Sequence, residues 1–480
     1  MKNLLILSSV IILISLTFSN FSLAPANRQD YSVSPVILND PDMSTAVINY
    51  AKFCADCHRD NLSWFNDREW KYGNREKDIY TSIRTGYPDF GMPAYNKAFK
   101  EEEMRDLASY IYKKLDLENE KPKDYLAKER IYTTEKLKVR IDTVISGLKI
   151  PWGLAFLPDG DMLVNEIEGK MFRYSADGIL KAEIKGLPDI YSRGQGGLMD
   201  IRLHPDYPAN GWIYFAYSYR TQKEGEGWNT ALMRAKIKNN TLVEKQLLFE
   251  GVPGFKTSHH FGCKITFDNK GHVFFGIGER GTGQNAQTLS NDCGKIHRLN
   301  EDGSIPKDNP FINTPGARPS IWSYGHRNPQ GLVISPFDGR LWESEHGPKG
   351  GDELNYPEPG KNYGWPRICF GINYDGTILT PDTAMAGMEQ PATYWVPSIA
   401  PCGMTFVTGN KYKGWEGNIL IGSLRFNYLV RVELSGTRVT HREVMLNDIG
   451  RMRNVEVSPD GIIYVGVESP GMILKLVPLP

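Results

Sequence analysis

Cys54-Ala55-Asp56-Cys57-His58 brings two thiols and an imidazole into one short stretch. This CxxCH pattern is the attachment motif of a c-type haem: both thiols form thioethers with the porphyrin vinyls, and the adjoining histidine is placed to ligate iron. Zinc would want a second ligand pair nearby, and the sequence offers none before residue 200. The sixth iron ligand is expected from Met92 in Gly91-Met92-Pro93, where the proline stiffens the loop. A thioether in that position raises the haem potential. Met104 is the spare, and the alternative for a methionine is to fill a gap in the core.

A second concentration of reactive residue types lies beyond residue 190. Arg193-Gly194-Gln195-Gly196-Gly197, Ser258-His259-His260-Phe261-Gly262 and His326-Arg327-Asn328-Pro329-Gln330-Gly331 hold more polar residues and glycines than plain turns need. So do Glu345-His346-Gly347-Pro348, Asp352-Glu353 and Asn362-Tyr363-Gly364-Trp365, and Arg425, Arg451 and Arg453 follow. Arginines from several segments suit a ligand bearing several carboxylates, by bidentate pairing. Gly-Pro carbonyls beside Asp and Glu offer the hard oxygens that Ca²⁺ prefers. A histidine in such company is a candidate general base.

These residues need elements to hold them. Residues 44–53 have helical periodicity, with Ala46, Val47, Tyr50 and Phe53 on one face, and run into the haem motif. Residues 101–115 put Met104, Leu107, Ala108, Ile111 and Leu115 on one stripe, with acids in the first turn and Lys113-Lys114 in the last, matching the helix dipole. Residues 119–136, rich in Lys and Glu, read as a linker. From residue 152 onward one phrase recurs: an apolar run, then Pro-Asp-Gly or a relative, then a second apolar run. Its copies begin near Gly153, Ile201, Ile265, Leu332, Met404 (with a longer insertion) and Val455. Pro and Asp-Gly supply hairpin turns between strand formers. Six copies at this spacing predict a mainly β fold, a six-bladed β-propeller of four-stranded blades, behind a small all-α domain.

Two resemblances follow from these motifs. Residues 40–118 look like a small class I cytochrome c domain. Residues 140–478 resemble the soluble aldose dehydrogenases that use pyrroloquinoline quinone (PQQ), most specifically in His326-Arg327-Asn328-Pro329-Gln330-Gly331 and in Gly347-Pro348 followed by Asp352-Glu353-Leu354-Asn355. That family is six-bladed, in agreement with the repeat count. By resemblance, His260 is the general base and Gln195 touches the quinone. Arg327 and Asn328 line its reactive carbonyl. Gly347 and Pro348 give main-chain oxygens to the Ca²⁺ that bridges PQQ, and Glu353 and Tyr363 match ligands of a second, structural Ca²⁺. Arg425, Arg451 and Arg453 pair with the PQQ carboxylates. Arg425 and His259 depart from the family pattern, where Lys and Asp are usual.

The implied activity is oxidation of an aldose to its lactone, with electrons passing from PQQ to the chain's own haem and on to a periplasmic acceptor. Other readings are a PQQ-dependent dehydrogenase of another alcohol or a sorbosone-like aldehyde, a Ca²⁺-dependent propeller lactonase, and a non-catalytic binding propeller. Equal numbers of basic and acidic side chains, 56 each among 480 residues, argue against a nucleic-acid partner. Lys2, the apolar residues 4–18 and Ala24-Pro25-Ala26 read as a signal peptide over residues 1–26. The apolar run falls short of the ~20 residues a span needs, so no membrane span is expected after cleavage. The propeller domain is expected over residues 137–480. Export permits disulfides: Cys263–Cys293 with Cys369–Cys402 is the favoured pairing, and four free, buried thiols are the alternative.

Overall fold

The computed structural model describes residues 43–58, 62, 73–87, 92–118, 130–221, 223–268, 270–447 and 449–480. The signal peptide expected at 1–26 and residues 119–129 of the linker lie outside them.

The first described element is a broken helix. Ser44–Asn49 is α-helical and continues through a π turn, Tyr50–Cys54, into Ala55–His58. Ala46 and Tyr50 are buried on the expected face, whereas Val47 and Phe53 stay half-buried. The wider π turn rotates the face that follows it, so Phe53 is not drawn fully into the core. Glu101–Glu118 carries Met104, Leu107, Ala108, Ile111 and Leu115 inward, which makes Met104 a packing residue. Glu76–Thr85, which the apolar pattern did not announce, buries Ile79 and Ile83 and is capped by reciprocal bonds between Arg75 and Asp78.

Six antiparallel sheets follow, five of four strands and one of five. Their first strands are Pro151–Phe156, Leu198–Leu203, Ile265–Phe267, Pro329–Ile334, Pro401–Phe406 and Met452–Val457. Each carries one copy of the repeated phrase, and first strands of successive blades pack on one another around the centre. At Pro158-Asp159-Gly160 the turn is tight: the Leu157 N–H donates to the Asp161 carbonyl at 2.7 Å, and Gly160 takes φ 87°. That backbone region penalises any β-carbon.

The sixth blade is closed by strands from far upstream. Lys138–Ser146 pairs with Met472–Pro478, in register from Val139 opposite Pro478 to Ser146 opposite Met472. Arg130–Thr133 pairs outside it as a fifth strand. This corrects the linker assignment for residues 130–133, whose strand exists because Lys138–Ser146 offers it an edge. Closing the ring in this way removes exposed sheet edges at the seam.

The expected disulfides are not formed. Cys263, Cys293, Cys369 and Cys402 are buried thiols, each among its own neighbours. Asn229 donates to Cys293 Sγ at 3.3 Å, the Gly371 N–H to Cys369 Sγ at 3.2 Å, and Arg453 to Cys402 Sγ at 3.4 Å. Burial raises all four thiol pKa values, that of Cys293 to about 12 and those of Cys369 and Cys402 to about 11.

Candidate active site

Antiparallel pairing decides where the polar loops gather. The start of a blade's first strand lies beside the end of its second, so the loop entering a blade and the loop joining its second and third strands share one end of the sheet. Gln195, His260, Arg327 with Asn328, and Arg451 precede or open first strands, while Gly347 with Pro348 and Arg425 join second to third strands. All therefore converge on one mouth of the ring. A cavity of about 360 Å³ occupies it, lined by Gln195, Asn328, Gly347, Pro348, Arg425, Arg451 and Arg453, and also by His58 and Tyr374.

His260 and Arg327 are bonded directly to that lining. The His260 N–H donates to Gln195 Oε1 at 2.8 Å, and Arg327 donates to the Gly347 carbonyl at 2.6 Å. The ring of His260 is held by Glu279, whose Oε1 lies 2.7 Å from Nδ1. Burial, reinforced by the positive charge of Arg327, pushes the imidazole pKa down to about 3. Burial acts to raise Glu279, but His260 and Arg327 outweigh it and hold the carboxyl at about 2. At neutral pH the pair is therefore carboxylate and neutral imidazole, with the proton on Nδ1 and Nε2 left as the basic atom. Glu279 was not anticipated. A lone acid in Gly278-Glu279-Arg280-Gly281 carries no local signal, and only its place after a second strand brings it to the mouth.

Two of the three arginines of the wall share one acid. Glu468 accepts Arg451 Nε at 2.7 Å on one oxygen and Arg453 Nε at 2.5 Å on the other. Arg453 also reaches Gln330 Oε1 at 2.8 Å, and Arg425 donates to the Ser398 carbonyl at 2.9 Å. Guanidiniums from two blades brought to one wall are a setting for an anionic ligand. Glu468, too, was missed, since nothing near it in sequence marks it.

The residues suit PQQ. Arg327 Nε and Asn328 Nδ2 are buried donors with no partner among the described residues, as a site made for ligand oxygens would have. The Asn328 carbonyl oxygen is already used by the Gly262 N–H and Gln330, at 3.3 and 3.2 Å, so its amide nitrogen is the end left for a ligand. The Gly347 turn is closely packed: a β-carbon on Gly347 would stand 2.3 Å from the Gly351 carbonyl oxygen and 2.5 Å from that of Gly350. Arg327 bridges the His346 and Gly347 carbonyls, at 3.1 and 2.6 Å.

The other pair of metal candidates is arranged differently from expectation. The Tyr363 hydroxyl donates to the Tyr356 carbonyl at 2.7 Å and accepts the Glu358 N–H at 3.0 Å. Glu353 instead joins Glu343 and Glu345 around the Asn355 amide, each 3.2 Å from it. Burial and mutual repulsion raise Glu343 and Glu353 well above the usual carboxylate range. Glu345 also receives the Arg327 and Asn328 N–H groups, at 2.5 and 3.3 Å, and so fixes the loop that presents them.

In the helical region, Cys54 is buried and His58 half-buried, four residues apart and hence on one helix face, and the His58 carbonyl accepts the Tyr50 hydroxyl at 3.1 Å. A thiol and an imidazole so placed fit a covalently held haem; the Cys57 side chain lies outside the described residues. Met92 is half-buried and paired through its main chain with Tyr87, at 2.8 and 3.1 Å.

A six-bladed propeller with a buried His260–Glu279 pair and three arginines lining one mouth, preceded by a helical region carrying the CxxCH motif, is the arrangement to compare with known proteins. Residues 148–475 match the Glucose / Sorbosone dehydrogenase family, and the chain belongs to that family of oxidoreductases. Residues 41–111 match the family described as cytochrome C oxidase, cbb3-type, subunit III. The aldose sugar dehydrogenase YliI of Escherichia coli is 39% identical over 71% of this chain and 93% of its own length. The apo-form structure of the soluble aldose sugar dehydrogenase from Escherichia coli superposes with a TM-score of 0.68, at 37% identity over 71% of this chain and all of that one. The PQQ-bound aldose sugar dehydrogenase of Streptomyces coelicolor does so with a TM-score of 0.59, at 29% identity over 74% of this chain and 99% of that one. Among the described residues no helix is long and apolar enough to cross a membrane.

Proposed function

We propose that the chain is an exported quinohaemoprotein that oxidises aldoses at the anomeric carbon to lactones and delivers the electrons to a c-type haem on Cys54, Cys57 and His58. The carrying observation is the His260–Glu279 pair, 2.7 Å apart, bonded through Gln195 to a cavity walled by Arg425, Arg451 and Arg453. When bound, PQQ with Ca²⁺ supplies a polarised quinone as hydride acceptor, and the haem supplies a one-electron carrier.

The chain's own residues do the rest. His260 Nε2 takes the proton of the anomeric hydroxyl, and Glu279 keeps the ring in the tautomer that leaves Nε2 basic and offsets the imidazolium that forms. Arg327 and Asn328 would donate to a cofactor oxygen seated beside them. Arg425, Arg451 and Arg453 would hold the carboxylates of PQQ, and Gly347 and Pro348 would give main-chain oxygens to Ca²⁺. Glu353, with Tyr363 packed against His326, is the candidate for a second cation. Met92 is the candidate sixth haem ligand. Residues 1–26 direct export, and a periplasmic carrier takes the electrons onward.

The test is dye-linked oxidation by purified apoprotein given PQQ and Ca²⁺, over a panel of aldoses, polyols and aldehydes, with product analysis. Lactone formed only from aldoses and only with PQQ supports the reading. Turnover confined to aldehydes would move the substrate to the sorbosone type, and lactone hydrolysis without PQQ would overturn it.

A further inference from the structure

Lys349 follows directly on Gly347-Pro348, yet its side chain turns toward the haem-attachment helix. Its ammonium donates to the Lys52 carbonyl and lies 5.3 Å from the centroid of the Phe53 ring, an attractive position for a cation. Phe53 is itself rooted in the helical domain: its carbonyl accepts the Tyr95 hydroxyl at 3.0 Å, and its ring meets Phe99 edge-on at 4.8 Å. On the propeller side, Lys349 and Ile372 exchange two main-chain hydrogen bonds of 3.0 Å, so the lysine stands on a stiff support. A β-carbon on Gly376 would come within 3.6 Å of Phe53. Residues 43–480 form one compact unit, and His58 opens on the same cavity as Gln195 and Asn328.

We propose that Lys349 is a positioning residue that fastens the haem-attachment helix to the cavity rim, so that electrons pass from the cavity to the His58 side between docked domains and not by a swinging cytochrome. This rests on the function proposed above. Each aldose oxidised to lactone releases two electrons and two protons. The hydroxyl proton leaves by way of His260, the proton of the transferred hydride is released when its acceptor is reoxidised, and each electron would reduce one ferric haem to ferrous. One turnover thus needs two transfers, with reoxidation by an external one-electron acceptor between them. Docking keeps the carrier at high effective concentration for both.

The test compares full-length wild type, Lys349→Glu and Lys349→Arg, all with haem attached. The proposal expects sugar-driven haem reduction in Lys349→Glu to slow at least tenfold more than oxidation with a dye acceptor does. Deuterium uptake by residues 46–58 should rise in Lys349→Glu with or without PQQ, and Lys349→Arg should restore both. Wild-type haem reduction and uptake in Lys349→Glu would overturn the proposal, as would equal slowing of the dye and haem reactions. Failure of the wild type to oxidise any sugar would instead defeat the functional reading, and the uptake measurement without PQQ would still decide the docking.

Discussion

His260 Nδ1 stands 2.7 Å from Glu279 Oε1. The two residues lie on loops at opposite sides of the strand pair Ile265–Phe267 and His272–Ile277, which brings them to one end of the third blade. The geometry assigns the Nδ1 proton and leaves one basic nitrogen. Glu279→Gln keeps the shape but lets the ring adopt the other tautomer. Sugar oxidation in that variant should fall by about 10²–10⁴-fold in kcat, with PQQ affinity little changed. Steady-state kinetics with a dye acceptor check this, and His260→Ala should lose at least as much.

The buried imidazole also sets a pH dependence of stability. Its pKa, about 3 in the folded chain, lies below the ordinary 6.5. An unfolded chain therefore binds a proton at this residue that the folded chain refuses, so His260 costs nothing above pH 6.5 and its penalty grows as pH falls from there toward 3. Glu279, depressed to about 2, adds stability above pH 4.5 that is lost below it. Thermal unfolding of the apoprotein should show wild type losing stability as pH falls from 6.5 to 5.5, a range above the titration of its Glu279, and His260→Gln should lack the part of that loss due to the imidazole.

Arg453 is tied to Glu468, Gln330 and Cys402 and lines the cavity. Replacing it with Met removes a charge-assisted partner of about 1.5–3 kcal/mol, so PQQ should bind roughly 10- to 100-fold more weakly by fluorescence titration. Binding should also become less sensitive to salt, since one fewer charge is in play.

The four propeller thiols are separate and buried, and burial raises each pKa. In the native protein they should resist thiol reagents at neutral pH, and addition of a reductant should leave the melting temperature of the propeller unchanged. Mass spectrometry after alkylation in denaturant should find Cys263, Cys293, Cys369 and Cys402 modified without prior reduction.

Features with a local cause were legible in the sequence, and features made by distant partners were not. The six first strands could be read because Pro-Asp-Gly chemistry imposes a turn wherever it occurs, as at Gly160 with φ 87°. The stripe from Met104 to Leu115 could be read because helical periodicity is local. Arg130–Thr133 has no such mark, and it is a strand only because Lys138–Ser146 is itself held by Met472–Pro478. The same divide runs through the site. His260 and Arg327 sit in dense polar runs, whereas Glu279, Glu468 and Lys349 each depend on a contact with a separate segment. The disulfide pairing failed for the related reason that cysteine spacing says nothing of which sulfur faces which.

The most direct measurement is a stopped-flow absorbance trace of the c-type haem band, starting from oxidised holoprotein with PQQ and Ca²⁺ and mixing with an aldose. The account predicts that the haem is reduced when PQQ is present, stays oxidised when PQQ is left out, and stays oxidised in His260→Ala. A haem that remains oxidised across a panel of aldoses, yet is reduced at once by dithionite, would contradict it.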